Sequence, residues 1–142
     1  METLKLYIQF MESVRDFDLA TIDQFIAADV HFVDPFNDTY GIEHYRRIIE
    51  DMREQIDGLA IDVKEHALVS AQSALIRWEL SGNLIAFKGR YWSVEGCSRI
   101  AFNEQSRVSE HLDYWDAAGQ LYETFPFLGG LLRRLRRKLA VA

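Results

Sequence analysis

The sequence predicts an α+β fold in which helices pack on one face of a curved antiparallel sheet. Two observations carry the prediction. Apolar residues recur at helical spacing as far as Ile56, and from Leu59 onward the period drops to two. The resulting order is three helices enclosing one short strand, then a run of strands, then C-terminal helices, which is a layered α+β arrangement.

Each element has its own signal. Leu4, Tyr7, Ile8, Met11 and Val14 mark an amphipathic first helix. A short second helix is expected over about Leu19 to Ala28, with Ile22, Phe25 and Ile26 facing inward. "VHFVDPF" reads as a strand running into a turn, because Pro35 holds Asp34 extended and cannot continue a central ladder. From Ile42, the set Tyr45, Ile48, Ile49, Met52 and Ile56 traces a third helix, with Gly58 as its stop signal. Alternation then marks four strands. Leu59, Ile61, Val63, Ala67 and Val69 line the first, and Ala74, Ile76, Trp78 and Leu80 the second. Trp92, Val94, Gly96, Ser98, Ile100 and Phe102 line the third. The polar turn "NEQSR" leads into the fourth, Val108 to Trp115. A basic amphipathic helix is expected at about 128–139.

Composition bounds the function. A chain of 142 residues fits a single domain, residues 1–142, large enough to bury a substantial core. It is 49% hydrophobic and 13% aromatic, which argues against disorder and for either a large core or a cavity lined with rings. The single cysteine, Cys97, fits a reducing compartment, and the expected location is cytoplasmic. The N-terminus mixes charges with apolar residues and does not read as a signal peptide, and no apolar run approaches a membrane span. The net charge of −6 hides an asymmetry, since Arg133, Arg134, Arg136, Arg137 and Lys138 cluster near the C-terminus and the remainder stands at −11. So acidic a body does not favour nucleic acid. His31, His44, His66 and His111 lie on different elements without paired ligand spacing, so no metal is expected.

The chemistry concentrates in "HLDYWDAAG", residues 111–119. Alternation puts Ser109, His111, Asp113 and Trp115 on one strand face and Val108, Glu110, Leu112 and Tyr114 on the other. Both faces carry apolar groups, so periodicity alone leaves open which is inside. If the Trp115 face is inward, Asp113 enters an aromatic environment that suits a general acid or base, with His111 as its hydrogen-bond partner. If it is outward, the pair is a surface feature of a sheet edge. Asp116 falls where the strand ends and reads as a helix N-cap.

Taken with the order of elements, the "VDPF" turn and the terminal "DYWD" strand resemble the nuclear transport factor 2-like superfamily. That group includes ketosteroid isomerases, limonene epoxide hydrolases and SnoaL-like polyketide cyclases. The resemblance runs from the first helix through "DYWD" and implies a cone with an apolar pocket. Asp34 matches the general base of the isomerases, but their two oxyanion donors fall on Phe10 and Ser98. Phe10 cannot donate a hydrogen bond, and losing one such donor commonly costs about 10²–10³ in rate. Asp113 matches an acid/base aspartate of the hydrolases and cyclases, and Trp115 a pocket-wall aromatic. Arg77-Trp78-Glu79 looks like the hydrolases' Arg-x-Asp, yet if Trp78 faces the cavity, Arg77 and Glu79 point away from it. The resemblance thus implies catalytic Asp113 and Asp34, to which the strand face adds His111, with no cofactor. A non-catalytic ligand- or protein-binding domain of the same fold is the alternative expectation, and an epoxide hydrolase a minor one. The expected lining is Phe10, Val14, Ile26, Ile49, Trp78, Trp92, Val94, Ser98, Ile100 and Trp115, around a small hydrophobic ligand with an oxygen function.

Two surfaces complete the expectations. Leu75, Tyr91, Leu112 and Tyr114 on the outer sheet face point to a homodimer contact. In the tail, Leu128, Leu131, Leu132, Leu135 and Leu139 form an apolar stripe among basic residues. Docking of that stripe on its own domain or a dimer partner is the favoured expectation, ahead of contact with anionic lipid.

Overall fold

The computed structural model describes residues 1–141. Its elements are α1 (Glu2–Glu12), a 3₁₀ turn (Leu19–Gln24), β1 (Ile26–Val33), β2 (Asp38–Tyr40) and α2 (Ile42–Gln55). Four strands follow: β3 (Ile56–Ser70), β4 (Ser73–Leu84), β5 (Arg90–Phe102) and β6 (Val108–Tyr114). The short α3 (Ala117–Gln120) and the terminal α4 (Leu128–Leu139) close the chain. The strands form one curved sheet in the order β2-β1-β6-β5-β4-β3, with the N-terminal helices against its inner face. The α+β class and the cone-like wrap are those expected.

The sheet is mixed rather than wholly antiparallel, because β1 runs parallel to β6. That pairing explains where the second helix stops. The Phe25 carbonyl accepts the Val108 N–H at 2.8 Å, and Ile26 pairs with Val108, so the chain is extended from Ile26 and the helix expected to reach Ala28 ends at Gln24. Tertiary pairing outweighs helical spacing here. Strand β2, three residues long, is too short to leave a period. Gly58 does not stop α2, which ends at Gln55; with φ 67° it lies inside β3, where the register against β4 shifts between Asp57 and Ala60. Ala67 and Val69 are exposed, because that end of β3 runs past the helices.

The inner row of the sheet is built by register. Ala74 on β4 faces Ile100 on β5, which faces His111 on β6, which faces Phe32 on β1. The next row is Ile76, Ser98 and Asp113. A bulge at Ser109 interrupts the alternation between Ala101 and Phe102, so Val108 turns inward and is fully buried instead of joining Glu110, Leu112 and Tyr114 outside. Against this face α1 packs Tyr7, Phe10 and Met11, and α2 packs Tyr45 and Ile49. Arg53 of α2 donates to the carbonyls of Val14 (2.8 Å) and Phe17 (2.7 Å), which satisfies chain emerging from α1 and ties the two helices together.

The inside–outside assignment has a direct energetic consequence. Ile100→Ala, at a fully buried position of the central strand β5, should cost about 2–5 kcal/mol. Leu75→Ala on the exposed outer face should stay within about 0.5 kcal/mol in a monomer. Urea unfolding of both variants at low protein concentration checks the pair, and equal losses would contradict this packing.

Candidate functional site

Six side chains from five elements form one buried polar chain. Trp78 on β4 donates its indole N–H to Ser98 Oγ on β5 at 2.7 Å. Ser98 donates to Asp113 Oδ1 on β6 at 2.5 Å, and His111 Nε2 meets the same oxygen at 2.6 Å. His111 Nδ1 lies 2.5 Å from the Tyr7 hydroxyl of α1, which lies 2.6 Å from the Tyr45 hydroxyl of α2. Tyr7, Tyr45, Ser98 and His111 are all buried. With Asp113 ionised and His111 neutral, the protons have one consistent arrangement. Tyr45 donates to Tyr7, Tyr7 to Nδ1, and Nε2–H to the carboxylate. Burial pushes both tyrosine hydroxyls well above their ordinary range, so they remain donors.

Two contiguous spaces open from this chain. The larger is a cleft of about 740 Å³ whose lining includes Asp113, Asp34, Trp78, Trp92 and Trp115. Met52 and Leu84 add apolar wall, Leu121 and Phe125 close the side below β5, and Arg47 and Asp51 of α2 stand among its polar residues. The smaller void, about 50 Å³, is bounded by Phe10, Val14, Ile49, Tyr45, His111 and Asp113. Trp78, Leu80, Met52 and Asp113 border both. Asp113 Oδ1 is occupied by two donors, whereas Oδ2 has no protein partner and is not among the sealed-off atoms, so it is the oxygen left for the cavity.

Asp34 stands on the same cleft. Its Oδ1 accepts the N–H groups of Phe36 (2.8 Å) and Asn37 (2.7 Å) and the Asn37 amide (3.0 Å), which sets the turn after β1. Burial nevertheless raises its carboxyl above the ordinary value, and the nearby Asp113 charge adds to the rise. Gly96 supplies the space for the aromatic wall. A Cβ there would sit 2.5 Å from the Trp78 ring and 3.0 Å from Trp115 Cβ.

Most of the site residues expected from the sequence gather here. Asp113 and Asp34 line the cleft, Trp78, Trp92 and Trp115 wall it, and His111, Phe10, Val14 and Ile49 border the inner void that Asp113 shares. Ser98 lies beneath Asp113 as its support. Ile26 and Ile100 are fully buried in the packed core and line neither space. The sequence reading did not single out Tyr7 and Tyr45; the signal available was a phenol on an otherwise apolar helical stripe, which needs a buried partner. Asp116 caps α3 as expected, accepting the Gly119 N–H at 2.8 Å. Arg77 is exposed and paired with Glu65 at 2.7 Å on the outer face, so the hydrolase-like Arg77 and Glu79 do not reach the cleft. His31 pairs with Asp38 at 2.7 Å and stacks on Tyr40, away from the cavity.

A family model for the SnoaL-like domain matches residues 7–111. The chain belongs to the SnoaL-like family. No curated protein gives a significant match. Solved structures share the fold of this SnoaL-like chain at low identity. A candidate SnoaL-like polyketide cyclase from Jannaschia sp. CCS1 is 11% identical, with a TM-score of 0.72 over 82% of this chain and 87% of that one. An LEH-like epoxide hydrolase from M. tuberculosis is 14% identical, with a TM-score of 0.67 over 99% of this chain and 95% of that one. SalBIII, an epoxide hydrolase/cyclase-like enzyme with a role in pyran ring formation in salinomycin, is 10% identical, with a TM-score of 0.69 over 81% and 91%.

The raised Asp34 carboxyl gives this SnoaL-like domain a pH signature. Below the ordinary value of 3.8 the group is protonated both folded and unfolded and costs nothing. As pH rises through the raised folded value, ionisation is penalised only in the fold, so stability falls. Asp34→Asn keeps an acceptor for Phe36 and Asn37 and removes that slope. Thermal melts should find the variant at least as stable as the parent at pH 7, with its advantage vanishing near pH 3.5. An advantage that grew toward low pH would contradict the burial argument.

Proposed function

We propose that this protein binds a small apolar molecule carrying an oxygen function and moves a proton on it without a cofactor, in the manner of an isomerase or cyclase. The observation that carries the reading is two carboxylates in different surroundings on one cavity. Asp113 has one oxygen held by His111 and Ser98 and the other open, while burial raises the Asp34 carboxyl above its ordinary value against the donors of its turn. Asp113 Oδ2 would take a proton from carbon beside the ligand's carbonyl, the C–H electron pair passing into the enolate. Asp34, in its protonated form, would donate a hydrogen bond to the enolate oxygen. When the enolate collapses, the proton on Asp113 returns to a different carbon, and both carboxyls regain their starting states. His111 is a positioning residue in this scheme, held by Tyr7 on its far side.

Likeness to cyclase-like and hydrolase-like folds supports chemistry on apolar oxygenated molecules, and the outward Arg77 argues against epoxide opening. The second reading is a non-catalytic binding domain of the same fold. The Asp113–His111 contact at 2.6 Å is the observation in its favour, since a paired carboxylate needs no substrate.

The three tryptophans of the chain all line the cleft, so intrinsic fluorescence reports occupancy. Bicyclic ketones should quench it, and in heavy water NMR should show deuterium entering beside their carbonyl. Asp113→Asn should keep the quenching and lower the exchange rate by about 10²-fold or more. Quenching without exchange that depends on Asp113 would instead establish the binding domain.

The outer sheet face is proposed as the homodimer surface, on the exposure of Leu75, Tyr91 and Tyr114 around the half-buried Leu112. Sedimentation at micromolar concentration should give twice the chain mass, and Tyr91→Glu with Tyr114→Glu should halve it. A monomeric parent protein would dismiss the proposal.

A further inference from the structure

Helix α4 is attached to the body by its polar side. Arg133 donates to the Glu123 carbonyl at 2.5 Å, and Arg136 Nε lies 3.0 Å from the nearly buried Glu123 carboxylate in an ion pair. Gly129 allows this approach, since a Cβ there would collide with the Glu123 carbonyl. The leucine stripe is therefore not docked on its own domain. Leu131, Leu135 and Leu139 stand 65%, 52% and 78% exposed, and Phe127 at the helix start is 97% exposed.

At about 100° per residue, the five leucines of α4 fall within an arc of roughly 100°, with cations over the rest of the circumference. No acidic residue occurs from Leu128 to Val141. Arg134, Arg137 and Lys138 make no hydrogen bond or ion pair among the described residues. We propose that α4 seats this protein on an anionic membrane surface, with the leucines in the acyl boundary and the cations at the headgroups. Three observations select this occupant.

The stripe is flanked on one side by Arg134 and Lys138, long cations that extend toward headgroups while their stems cover apolar surface. On the other side stands Arg136, held at Glu123. Pairing of two α4 helices along this stripe would bring like-charged flanks together without acidic partners. The rest of the molecule, at −11, is repelled by an anionic surface, so α4 is the element that can approach it. No described helix is long and apolar enough to cross a membrane, so the contact is peripheral. Leu121 and Phe125, just ahead of α4, line the cleft. Seating α4 would thus bring the cavity wall near the bilayer, a consequence that rests on the apolar-ligand function proposed above.

Flotation of the full chain with phosphatidylcholine vesicles, with and without one-third phosphatidylglycerol, tests the proposal. Binding should require the anionic lipid and weaken as salt is raised. Arg134→Gln with Arg137→Gln should weaken partitioning about 30-fold, taking roughly 1 kcal/mol per cation near the surface. Leu131→Asp with Leu135→Asp, both at exposed positions, should abolish binding while leaving the far-ultraviolet dichroism and the ketone quenching intact. Equal flotation with neutral vesicles, no flotation, or variants that bind like the parent would overturn it. So would leucine variants that change the sedimenting mass instead of vesicle binding, which would assign the stripe to a second copy. Ketone quenching is measured without vesicles, so failure here leaves the proton-transfer reading untouched.

Discussion

The arrangement depends on one carboxylate oxygen, Asp113 Oδ1, which takes donors from two strands at once. Burying polar groups among aromatic rings is unfavourable unless each finds a partner, and a half-satisfied network is worse than an apolar core. Here the chain of partners continues outward in both directions, through Ser98 to Trp78 and through His111 to Tyr7 and Tyr45. It therefore links α1 and α2 to three neighbouring strands. The same interactions that position the helices leave Oδ2 facing the cleft. Position and chemistry share one set of contacts.

Register is what delivers those groups. The parallel pairing of β1 with β6 sets Phe32 beside His111, and the bulge at Ser109 turns Val108 into the core while preserving the inward row of His111 and Asp113. Without the bulge, strict alternation would send either Val108 or His111 outward. Beyond α2 the helices no longer cover the sheet, and the residues of β4 and β5 on that side, Trp78, Trp92 and Val94, face open space. The cavity is the part of the inner sheet face that α1 does not fill.

Most of this frame was legible in the sequence because it rests on period. The apolar stripe of α1 and the alternation of β4 and β5 each predict a burial pattern that the fold realises. On β6, alternation groups His111 with Asp113 without saying which face is inside. What was not legible depends on partners distant in sequence. Nothing local shows that Ile26 pairs with Val108, or that Gly58 serves a bulge rather than a helix end. Tyr7 and Tyr45 read as core because their rings are core. Their hydroxyls acquire a role only when α1 and α2 converge on His111. In α4 the heptad-like leucines predict a buried face, but a single acceptor, Glu123, captures the arginines first and turns that face outward.

Glu123 also connects the two ends of the molecule's electrostatics. The segment from Asp116 to Phe125 is held to the sheet by Gln120, whose amide exchanges two hydrogen bonds with the backbone of Glu95, and by Trp92, which donates to the Gln120 carbonyl at 2.8 Å. Arg90 adds a bond to Thr124 Oγ1 at 3.0 Å. The wall of the cleft is thus fixed on one side by β5 and on the other by two arginines of α4. A force that shifts α4 acts directly on Glu123 and so on the chain carrying Leu121 and Phe125. The sheet contacts resist that shift through hydrogen bonds to Gln120, which lies between the Asp116 cap and Leu121. Leu121 lies between two residues held by β5, Gln120 and Thr124, whereas Phe125 follows the last of them. The segment after Gln120 thus joins the cleft wall to α4, while the His111–Asp113 row on β6 is held separately by Ser98 and Tyr7.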